Sequence, residues 1–422
     1  MLQRIVRTID LIIYVLLSIA LLTASNPIAG EPVERARAYT RAIEFDYVSW
    51  SAQAALLKLQ SGFLGLPGYL THEDRKQAVM QHLFLTERIL QAENQLNHIY
   101  ANPEIADKEA ASELLRAQLD DMYQRQKQLA PLAEATLQAQ VSATLAEQNL
   151  TSGGQPIPPV LYHTSAVPMG LIVSARDRIQ QLTNISIQPN LTVDEQAQLE
   201  ERVDAALDVS SLVVPIGGVG VYPTMVTRTT SLSWQVDTVA HEWTHNYLTL
   251  RPMGFLYDST HELRTMNETT ASIVGGEIGR LVLQRYYPEL VVASQPPLQL
   301  ASAKPVSSNP DGDIPHFDYR AEMHTTRVTV DAMLAAGKIE EAEAYMEARR
   351  EIFWQNGYTI RKLNQAYFAF YGAYADVPGG AAGEDPVGPA VRALREQSDS
   401  LADFVNRISW MTSFEELQAA IQ

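Results

Sequence analysis

The chain has 422 residues, with 32 basic against 49 acidic side chains and a formal net charge of −17. A field of that sign repels phosphate backbones, so we expect no nucleic-acid partner. Cysteine is absent, which excludes disulfides, thiolate nucleophiles and cysteine-rich zinc sites and leaves histidine and carboxylate as the metal ligands. The length suits two or three domains at the usual ~150 residues each.

The N-terminus has the pattern of an export signal. Two arginines precede an apolar run from Leu11 to Leu22, and small or polar residues follow it. This order predicts a signal peptide over residues 1–25. Because the cleavage pattern is imperfect, an uncleaved membrane tether through residues 9–24 is the alternative. Both predict an extracytoplasmic protein, either secreted or membrane-anchored.

Residues 31–150 are predicted to form a helical region. One helix starts near Thr71 and ends at Asn102-Pro103, a second covers Ile105 to Leu129 and stops before Pro131, and a third carries Leu137 to Leu145. A hairpin or small bundle of this kind serves as a packing wall, a spacer or a partner-binding surface, and packing is the favoured role.

A glycine- and proline-rich boundary precedes residues 151–295, where strands and helices mix. The sequence predicts strands at Met169 to Ser174 and Leu212 to Ile216, with a helix from Thr192 to Leu207 between them. Val219 to Thr227 is predicted as an edge strand because it contains Pro223, which cannot donate to a central ladder. This mixture indicates an α+β domain.

The chemistry is predicted on a helix from about Trp234 to Leu248, which contains His241-Glu242-Trp243-Thr244-His245. Two histidines four positions apart lie on one helical face, so both imidazoles can reach the same ion. Glu242 is rotated off that line, where its carboxylate can touch a water on the metal.

Glu268, 23 positions after His245, is the candidate third ligand. It enters a small, apolar stretch that suits a buried helix, where a carboxylate needs a cation or a proton. Glu277 is the reserve ligand.

The motif and the Asn267-Glu268 pair together resemble the metal signature of the gluzincin metallopeptidases, which include thermolysin and the zinc aminopeptidases. The resemblance implies a zincin-like domain with a small mixed sheet, Zn²⁺ on His241, His245 and Glu268, and peptide-bond hydrolysis with Glu242 as general base. It also implies an edge strand that pairs with a peptide or protein substrate, for which Gly218 to Met225 is the candidate. Thermolysin-like enzymes have an aspartate at the position of Ser272, so the groups supporting the ligands must differ here.

Residues 313–422 are predicted to form a helical C-terminal lobe, with proline-rich loops at 296–315 and 378–389. Its helices are predicted at Val328 to Ala336, Ile339 to Gln355 and Val391 to Met411. In similar enzymes a Tyr or His from this lobe stabilises the oxyanion. Tyr374, at the end of an aromatic stretch, is the candidate for that catalytic role, with Tyr371 and His324 in reserve.

The sequence is therefore compatible with three functions. The first is an exported zinc peptidase, with endopeptidase and aminopeptidase activity equally open. The second is a non-catalytic, zinc-stabilised extracytoplasmic interaction protein, and the third is a helical scaffold in which the motif is accidental. The intact Glu242 favours the first over the second.

Overall fold

The computed structural model describes residues 31–62, 66–101, 105, 107–291, 317–374 and 380–422. The predicted leader and the loop at 296–315 lie outside these residues. Within them, no helix combines the length and apolarity that crossing a membrane requires.

The N-terminal region is helical, as its periodicity predicts. Its helices are α1 Pro32–Thr40, α2 Tyr47–Gly62, α3 His72–Ala101 and α4 Lys108–Glu147. The predicted break at Pro131 is wrong, because α4 continues through it. Proline removes one helical hydrogen bond at a cost of about 3 kcal/mol, but Leu137, Val141 and Leu145 beyond it are fully buried in the main core. Burying three such side chains outweighs that cost.

Two three-stranded sheets follow. Their elements are β1 Tyr162–Thr164, β2 Met169–Ala175, β3 Gln181–Ile187, α5 Val193–Leu207, β4 Val209–Pro215, β5 Gly218–Val219 and β6 Thr224–Val226. One sheet is antiparallel with the order β3-β2-β4, and the other is mixed with the order β1-β6-β5. The small mixed sheet is present and the α+β prediction is compatible with this architecture. Thr192 and Glu195 form a capping box at the start of α5.

The predicted single edge strand over Val219 to Thr227 is a two-stranded hairpin. The chain turns at Tyr222-Pro223. Strand β6 pairs with both β1 and β5 and is therefore central, whereas β5 lies at one edge of the sheet. Because Pro223 lacks an N–H donor, it is accommodated in the turn and not within a strand.

Both faces of the antiparallel sheet are buried. Leu171 and Val173 pack against α1 and α5, whereas Ile172 between them faces the C-terminal helices. Such alternation follows from the two-residue period of a strand. The sheet therefore joins the C-terminal lobe to the rest of the molecule.

The remaining helices are α6 Leu232–Thr249, α7 Pro252–Phe255, α8 His261–Tyr286, α9 Tyr319–Ala335, α10 Ile339–Gln355, α11 Gln365–Tyr371, α12 Val387–Glu396, α13 Leu401–Ser409 and α14 Phe414–Ala420. The predicted helix from Val391 to Met411 is divided into α12 and α13. Ser400 caps α13 by accepting from the N–H of Asp403 at 3.1 Å, and this competing local hydrogen bond ends the run.

Candidate metal centre

Helices α6 and α8 form the framework of the site. Ser231 and Thr260 cap their N-termini. Gly279 lies against the Asp237 side chain and Gly275 against Asp237 and His241, so a Cβ at either glycine would clash. The missing side chains on α8 let the two helices approach closely, and the pairing places them in opposite directions.

His241, His245 and Glu268 converge, as the spacing predicts. The Nε2 atoms of the two histidines are 3.0 Å apart, and Oε2 of Glu268 lies 3.6 Å from the first and 3.5 Å from the second. One donor atom from each residue lies within 4.8 Å of the others, so this group could hold a metal ion.

Glu268 carries an unsatisfied oxygen that points at the two imidazoles. The residue is 6% exposed, and its buried Oε2 has no hydrogen-bond partner in the described part of the chain. The distances of 3.5 and 3.6 Å from Oε2 to the histidine nitrogens are too long for good hydrogen bonds. Buried polar atoms are normally paired, so an orphaned carboxylate oxygen beside two imidazole nitrogens fits a cation.

The other oxygen of Glu268 is held by Tyr257. The Tyr257 hydroxyl donates to Oε1, and its ring lies edge-on to His245 with centroids 6.2 Å apart. Burial and the charge of Glu268 raise the pKa of Tyr257 well above its ordinary value, so the hydroxyl keeps its proton and remains a donor. Tyr257 therefore fixes which oxygen of Glu268 faces the histidines.

His245 is oriented by Asn267, the residue before the candidate ligand Glu268. Nδ1 of His245 donates to Oδ1 of Asn267 at 2.7 Å, and Asn267 in turn donates to the carbonyl of Met253 at 3.4 Å. A ring that donates through Nδ1 presents Nε2 to an ion. Because Asn267 is 1% exposed, its Asn-x-Thr triplet is not open to a glycan.

Charge coupling within the cluster is strong. Burial alone would lower the pKa of His245, but the Glu268 carboxylate reverses this effect and raises it to about 9. Burial opposes ionisation of Glu268, and the charge of His245 nevertheless holds the pKa of Glu268 well below its usual range. The site thus stabilises a positive charge between these groups, supplied either by a proton or by a metal ion.

Glu242 lies under the edge strand β5. A Cβ at Gly218 would be 2.6 Å from Oε1 of Glu242, and a Cβ at Gly220 would be 3.1 Å from Cβ of His245. Glu242 is 7% exposed, and burial raises the pKa of its carboxyl above the ordinary value. The glycines bring the backbone of this edge directly over a desolvated carboxylate.

Tyr374 is the only one of the three lobe candidates that the described structure places beside the ligands. Its ring stacks on His241 with centroids 6.3 Å apart. Burial, followed by the charge of Glu268, raises the pKa of Tyr374 well above its ordinary value, so it too is a proton-bearing hydroxyl. Tyr371 packs instead on Tyr367, and His324 pairs with Glu384 at 3.2 Å.

Buried Arg264 holds the lobe to this helix pair. It lies one turn before Glu268 on α8 and donates from Nη2 to the carbonyl of Ala369 in α11 at 3.0 Å. The contact fixes α11, and with it the following Tyr374, against α8. Glu277, the reserve ligand, is not in the cluster, since it forms a two-pronged ion pair with Arg395 at 2.8 and 2.9 Å.

Sequence reasoning missed Tyr257, Arg264 and the orienting role of Asn267. Of these three residues, only Asn267 could have been identified from the sequence, because it directly precedes the candidate ligand Glu268. Tyr257 lies between α7 and α8 with no periodic pattern around it. Comparison of the chain with protein-family models, with curated proteins and with solved structures found no match.

Proposed function

We propose that the protein is a zinc-dependent peptidase of the gluzincin type, with a zincin-like catalytic domain around α6 and α8. The observation that carries the proposal is the convergence of two imidazole nitrogens and an orphaned carboxylate oxygen at 3.0, 3.5 and 3.6 Å. Donors bound tetrahedrally to zinc at ~2.0–2.1 Å lie roughly 3.3 Å from one another. The spacing of the three protein donors therefore fits one zinc ion, which His241, His245 and Glu268 would hold.

A zinc ion held by these residues would lower the pKa of water at the site and would polarise the scissile carbonyl. Glu242 accepts the proton of the attacking water and returns it to the leaving amine, a role favoured by its raised pKa. Tyr374, protonated and adjacent to His241, donates to the developing oxyanion. The free edge of β5 pairs with the backbone of an extended peptide above Glu242.

The N-terminal pattern leads us to propose an exported protein, whether its leader is cleaved or retained as a tether. The substrate is then an extracytoplasmic peptide or protein. No part of the proposed mechanism needs a nucleic acid or a second cofactor.

The decisive experiment compares Glu242→Gln with Glu262→Gln, a matched change at an exposed position in the first turn of α8. We expect the first variant to lose peptidase activity by at least about a hundredfold while retaining one zinc per chain, because proton transfer contributes ~10²–10⁴-fold and Glu242 is not a ligand. The control should retain both activity and zinc. Zinc with no cleavage of any library peptide by the wild-type protein would show a non-catalytic metal site, and absence of zinc would overturn the metal centre.

A further inference from the structure

Asp237 lies on the same accessible stripe of α6 as the two histidines. Most of this helix is buried, and its half-buried positions include Trp234, Asp237, Thr238, His241 and His245. These positions recur at steps of three and four residues and therefore form one face. The accessible strip of the metal helix thus has an acidic group one turn before the first ligand.

The carboxylate of Asp237 has no structural partner. Facing it on α8 is Gly279, which has no side chain, and neither a hydrogen bond nor an ion pair reaches the carboxylate within the ranges that the structure describes. Burial raises the pKa of Asp237 to about 7. Half-buried aspartates usually have a partner, and an unpaired acid with a raised pKa one helical turn from a candidate metal site marks a candidate functional group.

The distance from the metal ligands suits recognition of a substrate. Asp237 lies six positions before the midpoint of the two histidines, which is roughly 9 Å along a helix that rises 1.5 Å per residue. An extended peptide advances ~3.4 Å per residue, so 9 Å corresponds to between two and three residues. A group close to the scissile bond can therefore reach this carboxylate.

We propose that Asp237 is a specificity-determining residue that binds a cationic nitrogen of the substrate close to the scissile bond. The nitrogen belongs either to a lysine or arginine side chain or to a free N-terminal ammonium. Because Gly275 and Gly279 have no side chains, α8 offers the carboxylate no hydrogen-bond donor. In this proposal the substrate provides that donor. This inference rests on the proposed peptidase function and narrows its substrate class to peptides with a positive charge near the cleaved bond.

The first test measures kcat/KM on matched peptides in the zinc-loaded protein. A library identifies a cleaved sequence. Lysine is then compared with norleucine at each position around the bond, and a free N-terminus with an acetylated one. We expect the cationic form to be preferred by about tenfold or more, as for other contacts with charged groups. Asp237→Asn should abolish the preference for the cationic peptide, and Asp237→Lys should reverse it toward a glutamate peptide. The control Asp194→Asn, at an exposed position of α5, should leave the preference unchanged.

A second measurement separates this inference from the catalytic proposal. Binding of the lysine and norleucine peptides is measured on the Glu242→Gln variant with and without Asp237→Asn, and zinc content is recorded for each. Tighter binding of the lysine peptide that disappears with Asp237→Asn at constant zinc content supports the inference without turnover. Cleavage or binding with equal preference for both peptides overturns it. If the zinc-loaded wild type cleaves nothing and binds neither peptide, the proposed function is overturned and the inference with it.

Discussion

Tyr257 offers a quantitative test of how Glu268, the candidate third ligand, is held. Its hydroxyl is the donor to Oε1 of Glu268, and in the described residues no other donor reaches that atom. Tyr257→Phe removes only this hydrogen bond and keeps the buried ring. A hydrogen bond to a charged group contributes about 1.5–3 kcal/mol, and each 1.4 kcal/mol is a factor of ten in an equilibrium constant. The variant should therefore bind zinc about ten- to a hundredfold more weakly, which is the range for groups that orient metal ligands.

The assay titrates zinc into the apoprotein in competition with a chromophoric chelator of known affinity. Tyr247→Phe is the matched control, because its hydroxyl donates to Oδ1 of Asn406 at 2.9 Å on another side of α6. The control should bind zinc with unchanged affinity. Equal affinities for Tyr257→Phe and wild type would show that Glu268 is not oriented by the tyrosine, and equal weakening in both variants would indicate a general loss of packing.

The remaining predictions concern catalysis and pH. Tyr374→Phe should lower kcat by about a hundred- to a thousandfold at unchanged zinc content, and a kcat within twofold of wild type would remove it from the oxyanion role. Gly218→Ala places a methyl group 2.6 Å from Oε1 of Glu242, so peptidase activity should fall while zinc affinity stays constant; unchanged kcat would contradict the placement of β5 over the base. The pKa of His245 is raised from 6.5 to about 9, so below about pH 9 zinc displaces a proton and its apparent affinity should fall tenfold per pH unit. In the apoprotein the protonated His245 stabilises the fold fully below pH 6.5, and this contribution is lost as pH rises through about 9; an apoprotein melting temperature that rises over that window would contradict the His245–Glu268 coupling.

The candidate ligands could be predicted because each has a local reason to be where it is. His241 and His245 share a face through helical periodicity alone. Glu268 is a carboxylate in a sequence otherwise suited to burial, and the cost of burying an unpaired charge points to a cation. Both arguments use residues within one helix, so neither depends on the chain's long-range path.

The parts that could not be predicted depend on that path. Pro131 ends a helix by its local preference, yet α4 continues because distant elements bury the residues after it. Tyr257 lies in a connection without periodic pattern, and only the packing of α6 against α8 brings its hydroxyl to Glu268. The local pattern predicts Val219 to Thr227 as one strand, whereas in the structure β6 pairs with both β1 and β5 and the stretch is divided.

The unpaired groups that remain after folding are the strongest guide to function in this chain. Most of α6 is buried against the core. The half-buried face of the helix contains two imidazoles and the carboxylate of Asp237. From α8, Glu268 presents an orphaned oxygen to the imidazoles. An unpaired buried acid lowers stability unless a cation compensates it. Glu268 is such an acid, whereas Asp237 is unpaired but only half-buried. The proposed metal ion would supply the positive charge that Glu268 lacks, and a cationic group of the proposed substrate would pair with Asp237.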